Sequence, residues 1–133
     1  HAGEAAGPES IRQAVDYGTA RIGHGVNCIH DKNLMNIIAE KGITLELCPT
    51  SNLNTKIVND IKDYPIDKII NNKIKVTINT DNMTVSGTDE ASEMKLICDT
   101  FGYDGNMRRI FVDNAIDAAF LSNEMKEKLR GNL

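Results

Sequence analysis

The chain has 133 residues, 41% hydrophobic and 26% charged, with a formal net charge of -4 at pH 7; this is the makeup of one ordinary globular domain able to bury a moderate core. The charge arises without any run of lysine or arginine, so neither a phosphate-tracking groove nor a basic membrane patch is indicated, and the apolar runs fall far short of the roughly 20 residues a bilayer span requires. Nucleic acid and membrane are therefore not expected partners. Three cysteines, Cys28, Cys48 and Cys98, are an odd number without a C-x-x-C pair and read as reduced, core-filling thiols of a cytoplasmic protein. The first residues lack the charged-then-apolar layout of a secretory leader.

In chain order, Pro8 can open a helix that runs to Tyr17, with Ile11, Ala14 and Val15 at helical spacing and Gly18 beyond its end. TARIGHG, residues 19–25, reads as a brief extended stretch. Asp31 caps a second helical pattern carrying Leu34, Ile37 and Ile38, closed by Gly42. ITLELCP, residues 43–49, alternates Ile43, Leu45 and Leu47 with Thr44, Glu46 and Cys48 until Pro49 stops it. Residues 50–64 read as a long polar loop. Pro65 starts a third helix through Ile69 and Ile70, ending at Asn71 and Asn72. IKVTINTD, residues 74–81, repeats the strand pattern, with Ile74, Val76 and Ile78 opposite Lys75, Thr77 and Asn79. Beyond Asp81 two helical stripes follow, Met94, Ile97, Cys98 and Phe101, then Met107, Ile110, Phe111 and Ala118; a charged helix is expected from Ser122.

Strands about 25 to 30 residues apart with helices between them predict a parallel sheet built from βαβ units. The strands alternate rather than being apolar throughout, as expected where one face packs on helices and the other looks into a closed barrel. The fold class read from this pattern is α/β: part of a (β/α)8 TIM barrel, with parallel strands and extra C-terminal helices. A complete barrel needs roughly 200 residues or more. Residues 1–133 are accordingly read as a single domain fragment, the C-terminal half of a barrel, whose open sheet edges invite self-association or pairing with the missing N-terminal half.

Barrel chemistry gathers at the C-terminal ends of the strands. His1, His24, the Cys48–Asn52 run and Asp81–Asn82 fall at or just past such ends if a strand precedes His1. Imidazole and carboxylate are ordinary zinc donors, so His1 and Asp81 can converge on one metal ion, although at least one further protein ligand is needed. Each residue also has a plainer reading: His1 as a processing remnant, His24 as a turn histidine between glycines, His30 as surface, and Asp81 as a turn or N-cap residue. Glu46, on the barrel-facing side, must find a partner there.

HAGE at 1–4, RIGHG at 21–25, LCPTSN at 47–52 and NTDN at 79–82, in this order and spacing, resemble the C-terminal half of the adenosine deaminase family, and the likeness covers essentially the whole chain. The resemblance implies a zinc-dependent, metal-dependent hydrolase of the (β/α)8 type that turns adenosine, and deoxyadenosine, into inosine and ammonia, with a place in purine nucleotide metabolism. It implies His1 and Asp81 as ligands of one zinc ion, the other ligands coming from the absent N-terminal half. It makes Glu4 the acid that protonates purine N1, so Glu4 also binds substrate, and it puts His24 beside the attacking water. Asn82 matches a position that contacts purine N7 and is aspartate in many members; its amide NH2 can donate to N7 directly. RIGHG and NTDN, where fungal-type adenine deaminases tend to have RIDHG and SDDP, favour a purine nucleoside over the free base. Adenine deamination remains an alternative, as does a non-catalytic half-barrel module for binding or assembly. On this reading the isolated chain is inactive.

Overall fold

The computed structural model describes residues 1–132. Three short parallel strands run side by side in the order in which they occur: β1 (Arg21–Gly23), β2 (Thr44–Leu47) and β3 (Lys75–Ile78). The register pairs Ile22 with Leu45 and Leu45 with Val76, and Leu47 with Ile78, so one face of the sheet is apolar and each of these residues is buried. Arg21, Gly23, Thr44, Glu46, Lys75 and Thr77 share the other face, as the period of two demands. Each link between strands contains a helix, because parallel strands cannot be joined by a tight turn.

The helices are α1 (Pro8–Asp16), α2 (Lys32–Glu40), α3 (Pro49–Asn54), α4 (Ile66–Asn71), α5 (Met83–Ser86), α6 (Glu90–Phe101), α7 (Gly105–Ala118) and α8 (Asn123–Arg130). Their starts follow local chemistry. Pro8 occupies the first turn of α1, and Asp31, Asp89, Asp104 and Ser122 cap α2, α6, α7 and α8 by accepting a backbone N–H with the side chain, supplying a partner the helix itself cannot. Gly102 ends α6 in the left-handed conformation, which separates the two C-terminal stripes. The core joins Ile11 and Val15 of α1, Leu34, Met35 and Ile38 of α2, Ile66 and Ile69 of α4, Ile97 of α6 and Phe111 of α7 to the apolar strand face. The result is a partial (β/α) barrel with additional C-terminal helices.

Three local expectations are revised. Residues 50–64 are not one loop: they hold most of α3 and a 3-10 turn, Ile61–Asp63, because Pro49 is a good first-turn residue and the polar residues behind it have buried partners to bond. The strand expected over 19–25 narrows to Arg21–Gly23, since His24 leaves the extended region. Glu46 is half-buried rather than enclosed, and its partner is the Arg21 guanidinium at 3.2 Å on the neighbouring strand. Among the described residues no helix is long and apolar enough to cross a membrane.

Candidate active site

The segment before α1 lies beside β1 in a single parallel bridge: Ala2 bridges to His24, with Ala2 N–H donating to Gly23 O at 3.2 Å and Gly25 N–H to Ala2 O at 2.9 Å. His1 is thereby held at the C-terminal end of the sheet. The turn after it depends on a missing side chain. Gly3 has φ +66°, and a Cβ there would lie 2.2 Å from Ile11 Cδ1, so glycine alone lets the HAGE segment pack on α1. Ser10 Oγ accepts the Gly3 N–H at 2.8 Å, and Asn27 Nδ2 donates to Glu4 O at 2.9 Å. These bonds aim Glu4 back toward the strand ends.

His24 and Asp81 sit at the ends of β1 and β3 with φ of 65° and 57°, a region that side-chain-bearing residues seldom occupy and that recurs at functional sites. Leaving the pleat turns both side chains sideways, toward one point. His1 Nε2 is 3.6 Å from Asp81 Oδ1, His24 Nε2 is 4.0 Å from Asp81 Oδ2 and 3.4 Å from Glu4 Oε2, and the two imidazole rings are 4.7 Å apart. One donor atom each from His1, His24 and Asp81 lie within 4.8 Å of one another. Of the five site residues read from the sequence, four meet here. Asn82 lies at the exposed rim, where its Oδ1 caps α5 by accepting Val85 N–H at 3.0 Å; its NH2 has no protein partner among the described residues.

The donor set fits a metal ion. Two donors each about 2.0–2.2 Å from a tetrahedral zinc stand about 3.3–3.6 Å apart, and His1 Nε2 and Asp81 Oδ1, 3.6 Å apart, match that spacing. His24 Nε2 is the one buried side-chain polar atom without a hydrogen-bond partner among the described residues; an orphan of this kind calls for an ion, a water or a ligand. Cys48 stands near but outside this donor set. Its Sγ–H donates to Glu46 O at 3.5 Å and is not among the atoms that meet; burial, and then the carboxylates of Asp81, Glu93, Glu46 and Glu4, push the thiol up to about 12.

The α3 turn supplies residues to which the sequence reading gave no individual role. Ser51 Oγ donates to Asp81 Oδ2 at 2.8 Å, Asn52 Nδ2 lies 3.1 Å from His24 Nδ1, and Tyr64 O–H donates to Asn52 Oδ1 at 2.9 Å. Glu93 of α6, fully buried, accepts Thr50 N–H at 3.0 Å and Thr88 Oγ–H at 2.6 Å, which ties the start of α3 to α6. The LCPTSN run at a strand end was the available signal; it gave the place and not the partners.

The family model described as adenosine deaminase matches residues 1–133. The chain belongs to the adenosine deaminase family. Among curated relatives it is 44% identical over 133 residues to an adenosine deaminase of Haemophilus ducreyi, covering 100% of this chain and 39% of the relative. It is 41% identical over 132 residues to that of Clostridium perfringens strain 13, covering 98% and 40%. The chain thus spans about two fifths of the length of these family members. Among solved structures it superposes on the apo N6-methyl-AMP deaminase of Arabidopsis thaliana with TM-score 0.86 and 29% identity, covering 98% of this chain and 38% of that one. A Burkholderia ambifaria amidohydrolase with bound Zn gives TM-score 0.87 and 25% identity, covering 98% and 37%. The adenine deaminase of Arthrobacter aurescens gives TM-score 0.93 at 24% identity, covering 97% and 40%, a likeness of fold.

Proposed function

We propose that this chain is the C-terminal portion of a barrel that hydrolyses adenosine, and deoxyadenosine, to inosine and ammonia. The observation that carries the reading is the meeting of His1, His24 and Asp81 within 4.8 Å, with the Glu4 carboxylate 3.4 Å from His24, at one end of a sheet whose chain matches the family from end to end. His1 and Asp81 would hold zinc together with donors from an N-terminal half. Zinc bound there supplies a water acidified to a pKa near 7, so that hydroxide is available at neutral pH.

The remaining work falls to side chains. Asp81 and His24 flank the position of the attacking water and orient it toward purine C6, and Asp81 takes up its proton. Ser51, donating to Asp81 Oδ2, keeps that carboxylate from rotating away. Glu4 hands a proton to purine N1 as the oxygen adds to C6, which avoids building a free negative charge on the ring. Asn82 uses its free NH2 to hold N7. The amino group at C6 leaves as ammonia, so adenosine and water are converted to inosine and ammonia.

The test is ammonia release by the longer protein, with its N-terminal half and one zinc per chain, from adenosine, deoxyadenosine, adenine and AMP. Turnover of the two nucleosides above the others is the expected result. Turnover of adenine alone would favour the free-base alternative, and no turnover of any purine by zinc-loaded protein would leave a non-catalytic module.

A further inference from the structure

We propose that Asn52, locked by Tyr64, is a positioning residue that fixes which nitrogen of His24 carries the ring proton, so that the neutral ring presents Nε2–H to the site. The inference deepens the deaminase reading and shares its site. It begins at Tyr64, which is 2% exposed. Burial holds the phenol well above its ordinary pKa, so it keeps its proton and needs an acceptor. The acceptor is Asn52 Oδ1, 2.9 Å away. Were the amide turned over, the phenol O–H would face an NH2, and a buried donor would lose its partner, a cost that folded proteins avoid.

The orientation of the amide is therefore set from behind. With Oδ1 toward Tyr64, Nδ2 faces His24 Nδ1 at 3.1 Å, and an amide N–H can only donate. Nδ1 must then offer its lone pair. In a neutral imidazole the proton consequently resides on Nε2, the atom that lies 3.4 Å from Glu4 Oε2 and 4.0 Å from Asp81 Oδ2. Both Asn52 and His24 are fully buried, so no bulk water is at hand to let the amide or the ring relax.

The consequence is a division of labour between two histidines 4.7 Å apart. A ring that presents N–H holds an oxygen by donating to it. A ring with a bare Nε2 would compete for a metal instead. The Asn52 amide thus lets His24 stand beside the ion without becoming its ligand, which leaves ligation to His1 and Asp81.

The test swaps the amide for an isosteric acceptor. In Asn52→Asp, the carboxylate accepts from Tyr64 and draws the His24 proton onto Nδ1. Ring-15N-labelled histidine in the full chain, metal-free, with the His24 signals assigned by their loss in His24→Gln, should show Nε2–H in the parent and Nδ1–H in Asn52→Asp. In the longer zinc-loaded protein kcat should fall by about 10²–10³-fold, the range for loss of one preorganised hydrogen-bond donor, with KM little changed. Tyr64→Phe leaves the amide free to turn and should give a mixture of the two tautomers with an intermediate kcat. Because it keeps the ring packing, it also decides the matter if Asn52→Asp fails to fold. A parent spectrum with Nδ1–H, or an unchanged tautomer in whichever of the two variants folds, overturns the proposal whatever the substrate proves to be. A switched tautomer in protein without deaminase activity would sink the functional reading and leave this one standing.

Discussion

Polar side chains crowd both ends of the three-stranded sheet, and they are wired in opposite ways. At the C-terminal end, His24 and Asn52 are fully buried and Ser51 is 5% exposed, and a line of contacts runs from Tyr64 through Asn52 to His24, with Ser51 holding Asp81. At the N-terminal end, Lys75 pairs with Asp117 at 3.3 Å and Arg130 pairs with the same carboxylate, while Arg21 lies over the exposed Phe120 ring. Lys75, Asp117 and Phe120 are exposed, and Arg21 and Arg130 are half-buried. A buried network is costly when broken and tightly defined when whole; surface pairs are worth about 0–1 kcal/mol each. One end of the sheet has surrendered hydration to obtain fixed directions, and the other has kept it.

Mutations should separate the two ends by size of effect. The largest change is expected from Glu4→Gln in the longer protein: kcat should drop by about 10²–10⁴-fold while thermal stability barely moves, since the side chain is partly exposed. A drop in stability equal to the activity loss would make Glu4 structural. Removing zinc with a chelator should likewise abolish turnover, and activity that survives complete metal removal would sink the role given to His1 and Asp81.

Next comes the turn that carries His1 and Glu4. Gly3→Ala brings a left-handed penalty of about 1–2 kcal/mol and an overpacking cost of about 1–3 kcal/mol against Ile11, so urea titration should show about 2–5 kcal/mol of destabilisation. Tyr64→Phe should cost about 1–3 kcal/mol by leaving the buried Asn52 carbonyl without its donor. Asp117→Asn, at the solvated end, should change stability by less than about 1 kcal/mol. Equal losses at Tyr64 and Asp117 would erase the contrast.

The smallest effect is in acid. Asp31, Asp89 and Asp104 have pKa values lowered, first of all by the backbone N–H groups they cap. A carboxyl whose folded pKa lies below its unfolded value of about 3.9 stabilises fully above that value and loses the contribution as pH falls through the folded one. Circular dichroism between neutral pH and strong acid should show Asp89→Asn and Asp104→Asn flattening the acid limb and leaving the neutral plateau pH-independent. A change in slope near neutrality would contradict that assignment.

The same contrast explains what the sequence disclosed. Alternating Ile43, Leu45 and Leu47, and Ile74, Val76 and Ile78, announced half-buried strands because apolar periodicity records which face meets the core. His24 and Asp81 were visible as polar interruptions at the ends of those strands. The α3 turn was not, because Thr50, Ser51 and Asn52 look like loop residues to any pattern that equates polar with exposed. The burial of Asn52 and Ser51 depends on partners 28 and 30 residues away in the chain, and periodicity carries no information at that range. Tyr64 was hidden for the same reason, as the last residue of an expected loop and in fact one of the most buried side chains in the molecule.

Ser51 and Asn52 are consecutive residues on a single helical turn, and one reaches to the aspartate while the next reaches to the imidazole. Rocking of that turn must carry both groups in the same sense. The same turn reaches the acid as well: Thr55, just past the end of α3, donates its Oγ–H to Glu4 Oε1 at 3.4 Å, so a displacement of α3 is felt at the ring, the aspartate and the glutamate together.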